Sequence, residues 1–331
     1  MDEGNRMRMN SIVDFWMSRL ISHIEMLSDD RGIGISEALH GLAQDPVLVF
    51  FALLTQLGDV WFLFLLGGVH YVAGDRFPKW GIDRRRGLFV LGLLLTYVAL
   101  VGVLKQSFMV PRPPGAETPP DVQWIPSALQ GVFASISTGT GYGFPSGHAL
   151  GSTLVWGGFA LAVRKDKRSH VWLALAGVVI LIVSLSRVVL GVHYLVDVVV
   201  GTVIGIVVLG GLYTISDHGT TPGRVLVFAA GIGVLGLIHG VTFDSVAAVG
   251  SAVGAWLTWR AVGDLTPAHP LNRREVVVGF AVFGLAGGFF ALLNSLKPSL
   301  PITFFGATIA VGGVVGAPLI GNRFVEQSEG R

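Results

Sequence analysis

The chain contains no cysteine. Disulfide scaffolds, thiolate metal sites and cysteine nucleophiles are therefore excluded. Charge is also scarce. Only 13% of the 331 residues are Asp, Glu, Lys or Arg, against roughly 25% in an ordinary globular domain. Hydrophobic residues make up 52%. A soluble protein of this size needs a large polar surface, so burial alone does not explain the deficit, whereas a bilayer does. The formal net charge of +2 is too small to imply nucleic acid. No compact apolar core with a cleavage site follows the first residues, so the first spanning helix is expected to direct insertion itself.

What is present is a series of apolar runs. A spanning helix needs roughly 20 such residues. Segments near 47–73, 87–107, 147–163, 170–186, 194–213, 225–240, 244–260, 276–293 and 302–320 fit, several only marginally. The expected fold is all-α: a polytopic bundle of about nine spans. Ahead of it, Ile12, Trp16, Leu20, Ile24 and Leu27 recur at nearly helical spacing, the pattern of an amphipathic helix at the interface. Ser36 with Glu37 reads as the start of a second short helix.

Basic residues in short loops set orientation. Arg76, Lys79, Arg84, Arg85 and Arg86 form one group; Arg164, Lys165, Lys167 and Arg168 form the next. Arg224, Arg260, Arg273, Arg274 and Arg323 follow. With nine spans all fall on one face, assigned as cytoplasmic. The acidic segment 1–45, the loop 108–146 and the turn 187–193 then lie outside. Lys105, Arg112 and Arg187 also fall there, where bases are scarce. Three bases on that face ask for an anionic partner.

Three short pieces share this face. Lys105 and Arg112 offer a point charge and a planar fork of donors suited to phosphate oxygens. Taken alone, they fit headgroup snorkelling as well. Pro145-Ser146-Gly147-His148 leads into an apolar helix. Ser146 can cap it, Gly147 lets an anion approach the backbone, and free N–H groups at a helix start bind phosphate. His193 and Asp197 are i and i+4 on one helix face. A carboxylate on Nδ1 would fix the tautomer of His193 and leave Nε2 free to attack. Arg187 precedes them at the end of the previous helix.

Together the pieces read Lys-x6-Arg-Pro, Pro-Ser-Gly-His and Ser-Arg-x5-His-x3-Asp. This resembles the three-part signature of the type-2 phosphatidic acid phosphatase and vanadium haloperoxidase superfamily, at every position and in order. The resemblance covers roughly 35–214. It implies a phosphohistidine on His193, oriented by Asp197, with His148 as general acid and then base. Lys105, Arg112, Ser146, Gly147 and Arg187 would cradle phosphate. No metal or cofactor is implied. The haloperoxidase branch is soluble, so the spans favour the membrane lipid-phosphatase branch.

The expected organisation is an N-terminal interfacial part at 1–45, a catalytic membrane core at 46–214 and additional helices at 215–331. The expected activity is metal-independent hydrolysis of a lipid phosphomonoester or pyrophosphate, on the extracytoplasmic face of a cell membrane. A phosphotransferase using the same site, or a lipid or anion flippase, are the alternatives. The sequence names neither the lipid nor the oligomeric state. Asp59, inside the first span, is an intramembrane carboxylate and so a functional candidate by default, with a structural hydrogen-bonding role favoured. Glu117, Asp121 and Trp124 are candidates for shaping a substrate entrance.

Overall fold

The computed structural model describes residues 34–74, 82–163 and 169–329. The amphipathic segment expected at 12–27 and the bases at 76, 79 and 164–168 lie outside them. Among the described residues there are twelve α-helices and no strand. α1 (Ile35–Leu42) covers the short helix expected at Ser36. α2 (Asp45–Leu54), a 3-10 turn (Thr55–Gly58) and α3 (Val60–Ala73) follow. α4 is Arg84–Phe108, α5 Ser127–Ser137, α6 Gly147–Ala162, α7 Ser169–Val189 and α8 Leu195–Ile215. The last four are α9 (Pro222–His239), α10 (Phe243–Val262), α11 (Arg273–Leu296) and α12 (Leu300–Glu329).

Every expected span is helical, but the count of nine is not confirmed. Six helices among the described residues are long and apolar enough to cross a membrane, seven if one bent pair is a single span. α6 has only 16 residues, about 24 Å of helix, against a hydrocarbon core of about 30 Å. α10 has 20 residues, but Asp244, Ser245, Ser251, Thr258 and Arg260 dilute its apolar character. The first expected span, 47–73, is the bent pair, broken by 46° between α2 and α3. Asp59 explains the break. Its backbone is extended, and its carboxylate accepts the Trp61 N–H at 3.4 Å, capping a new helix. The indole of Trp156 on α6 donates to the Leu57 carbonyl at 2.9 Å within the broken turn.

The bundle is built around α4, which packs against α3, α6, α9 and α10. α6 lies against α7 and α8, and α12 against both α10 and α11. Leu63, Phe89, Leu93, Leu150, Leu154, Leu226 and Val315 belong to one buried core drawn from both halves of the chain. Close approach needs small residues: a Cβ on Gly87 would come within 2.7 Å of the Tyr71 backbone, and one on Gly254 would overlap the Thr308 carbonyl. Outward faces stay apolar, with Val203, Ile206, Leu285 and Ile309 all more than half exposed. Such a surface suits lipid, not water.

Two observations fix the ends of the bundle. At the end of α4, Ser107 Oγ lies 3.1 Å from His239 Nε2 at the end of α9. At its start, Arg84 is paired with Glu275 of α11 at 2.7 Å, both side chains 1% exposed. Arg84 also donates to the carbonyls of Val72 and Pro267. One end of α4 is thereby tied to α9 and the other to α11.

Candidate active site

The end of α4 delivers the first cation. Lys105 is half-buried in its last turn, and its carbonyl accepts from Met109, whose left-handed backbone (φ 50°) ends the helix. The chain then turns back so that Arg112 points inward. Its Nε donates to the Thr140 carbonyl at 3.1 Å, and its Nη1 donates to the Val192 carbonyl at 2.8 Å. The same Nη1 lies 3.0 Å from His193 Nε2. Room for this guanidinium is made by Gly139, where a Cβ would stand 2.7 Å from Nη1.

α6 begins at the same place. Ser146, fully buried, accepts the Ala149 N–H at 3.5 Å, so it is the N-cap its sequence suggested. Its own N–H donates to the Asp197 carbonyl at 2.9 Å, joining the start of α6 to the start of α8. Gly147 is pressed against α4, where a Cβ would meet Val101 at 3.1 Å. The first N–H groups of a helix have no intrahelical partners, so the start of α6 presents donors here. His148 follows, with Nε2 3.8 Å from Asp59 Oδ2. Asp59 thus does more than cap α3: it sets a carboxylate beside a site histidine.

α7 ends in the third cation. Arg187 is 3% exposed and its Nη1 donates to Thr55 Oγ1 at 3.1 Å, in the broken turn after α2. Its carbonyl accepts the N–H groups of both Val192 and His193, which shapes the tight turn. Gly191 in that turn has φ +69°, a conformation glycine adopts without strain. His193 is 1% exposed, with Nδ1 3.4 Å from Asp197 Oδ2. The same carboxylate oxygen accepts the Tyr194 N–H at 3.0 Å, holding Asp197 in place.

These contacts define a tautomer. With Nδ1–H toward Asp197, Nε2 carries the lone pair and accepts from Arg112. Burial first, then the charges of Arg112, Arg187 and Lys105 and the neighbouring His148, push the His193 pKa well below 6.5. The ring is therefore neutral at neutral pH. Burial lowers the Arg112 pKa from its ordinary high value, with Asp197 and Glu117 opposing that shift. A guanidinium starting so high stays protonated at neutral pH.

All eight residues picked out by spacing meet at this one end. Thr55, Asp59 and Gly139 join them and were not assigned to the site from sequence. A depression of about 550 Å³ opens beside Arg112 and includes Glu117 and Tyr142 in its walls. Of the three entrance candidates only Glu117 lines it; Asp121 and Trp124 do not. Among the described residues no group of three or more His, Asp or Glu is placed to hold a metal ion.

Chemically, the arrangement offers a neutral imidazole held between a carboxylate and a guanidinium, a second imidazole next to a carboxylate, and three cations. No curated protein and no solved structure matches the chain. A family model does: the PAP2 superfamily, over residues 86–219. That stretch contains Lys105, Arg112, Ser146, Gly147, His148, Arg187, His193 and Asp197, and it is similar to the PAP2 superfamily within an apolar helical chain.

Proposed function

We propose that this chain is a membrane phosphatase that hydrolyses a lipid phosphomonoester or pyrophosphate through a phosphohistidine on His193. A PAP2 domain among membrane-length helices supports the coarser statement, a membrane phosphatase. The observation that carries the finer one is the hydrogen bonding of His193: Asp197 on Nδ1, and Arg112, a phosphate-binding fork, on Nε2. A phosphoryl group between Arg112 and His193 would meet donor and nucleophile together.

In the first step His193 Nε2 attacks phosphorus and the bond to the leaving oxygen breaks. His148 gives that oxygen a proton, while Asp197 stabilises the imidazolium character that develops on His193. In the second step water attacks phosphorus, His148 takes a proton from it, and the P–N bond breaks to release phosphate. Lys105, Arg112, Arg187, the Ser146 hydroxyl and the Gly147 N–H balance the charge of the transferring group. A lipid can enter laterally with its tails still in the bilayer.

We place this site on the extracytoplasmic face, because Arg84, Arg85, Arg86, Arg224 and Arg260 gather at the opposite end of the bundle. The decisive experiment is phosphate release from a panel of lipid phosphates by purified protein. His193→Ala is expected to lower it at least about a thousandfold, with loss of an acid-labile phosphoenzyme. Full activity in that variant would sink the mechanism.

A further inference from the structure

The start of α4, about 30 Å along the helix from Lys105, holds a second cationic site. A cavity of about 310 Å³ opens between the starts of α4 and α9 and the end of α10. Arg85, Arg224 and Arg260 line it, one from each helix, against a single carboxylate, Asp264. Trp256 and Trp259 supply an aromatic wall. The guanidinium of Arg85 lies over the Trp259 ring, 5.7 Å from its centroid, a favourable cation–π arrangement. Asp264 is 3.8 Å from Arg85 but fully exposed, so water screens most of that attraction.

Isolated bases at helix ends snorkel into headgroups without building a site. Here three helices converge on one cavity, and the fold makes room for it. Gly223 lets the Trp259 indole lie against the first turn of α9, where a Cβ would come within 3.2 Å of the ring. The hydroxyl of Thr221, another lining residue, has no hydrogen-bond partner among the described residues. Val227, also in the lining, and Leu257, next to Trp256 in the chain, present apolar surface, each about half exposed, at 51% and 49%. A cationic pocket continuous with an apolar helix face matches a molecule with a phosphate at one end and hydrocarbon at the other.

We propose that this cavity binds the phosphate of an anionic phospholipid headgroup, on the face opposite the candidate active site. Arg85, Arg224 and Arg260 contact the phosphate and Trp256 lies beside the glycerol region. Inorganic phosphate offers the same headgroup chemistry without the tails. The proposal is independent of the phosphatase reading.

The test uses the full chain in detergent, with bound lipid counted by native mass spectrometry. The probes are phosphatidylglycerol and phosphatidylcholine, with millimolar inorganic phosphate as competitor. The wild type is expected to retain phosphatidylglycerol several-fold over phosphatidylcholine, undisturbed by inorganic phosphate. Arg224→Gln with Arg260→Gln should equalise the two lipids, whereas Arg187→Met at the other end should leave the preference intact. An unchanged preference in the double variant overturns the proposal. So does its loss in Arg187→Met, or displacement of lipid by inorganic phosphate, which would make the free ion the ligand. Should the double variant fail to fold, Arg260→Gln alone, an exposed position, must reduce the preference at least twofold.

Discussion

Arg84 and Arg187 are both buried guanidiniums, 1% and 3% exposed, at opposite ends of the same bundle. Arg84 has a carboxylate at 2.7 Å and two carbonyls around it. Arg187 donates to a threonine hydroxyl and, among the described residues, has no carboxylate within ion-pair distance. Arg112, near it, spends its donors on carbonyls and a neutral imidazole. A buried cation is costly unless paired. Where the pair is present the arginine holds helices together. Where it is absent, the cation's best partner is a visiting anion.

That contrast can be broken in either direction. The largest effect is expected from Arg187→Met, which removes one of the proposed phosphate contacts and a desolvated charge. Turnover should fall at least about a hundredfold, while thermal stability in detergent holds or rises. A large loss of stability with normal turnover per folded molecule would erase the difference between the two arginines. Glu275→Gln makes the converse change, stranding Arg84. Breaking a buried pair from one side costs about 3–5 kcal/mol, read as a drop in unfolding midpoint, with turnover of the folded fraction kept.

A smaller effect is expected from Gly139→Ala. The new methyl would crowd the Arg112 guanidinium, the mobile end of a side chain, so stability should change little. Turnover should fall about tenfold, as misplacing a catalytic group commonly does. The smallest effect concerns pH. Because the His193 pKa is lowered by burial and by Arg112, its nucleophilic form persists below 6.5. The acid limb of kcat/KM should therefore lie below that value. Arg112→Gln removes one lowering charge, so the limb of its residual activity should move toward higher pH.

Much of the site was legible because its parts are local in sequence. His193 and Asp197 lie one helical turn apart, and Ser146 to His148 mark a helix start. Spacing alone places such groups on one face. Thr55 was not legible as a site residue, and Asp59 stands out in the sequence only as an intramembrane carboxylate with a structural role favoured. They reach it only because the first apolar run breaks by 46°, and hydropathy reads that run as continuous. Gly139 was invisible for another reason, since its role depends on the approach of Arg112 from 27 positions away in the chain. The expectation of nine spans counted apolar runs. The short length of α6 and the polar side chains of α10 separate that count from the six or seven helices of membrane length.

The broken first run has a further consequence. Each half is too short to cross a bilayer alone: α3, at 14 residues, is about 21 Å long. An interrupted helix leaves peptide carbonyls without intrahelical donors, and within a bilayer each must find another. Trp156 answers for Leu57. Its indole N–H substitutes for the peptide N–H that an unbroken helix would have supplied. Thr55 and Asp59, at the same break, reach Arg187 and His148. One tryptophan thus satisfies a carbonyl that the interruption leaves over, while two polar side chains of the interruption serve the candidate site.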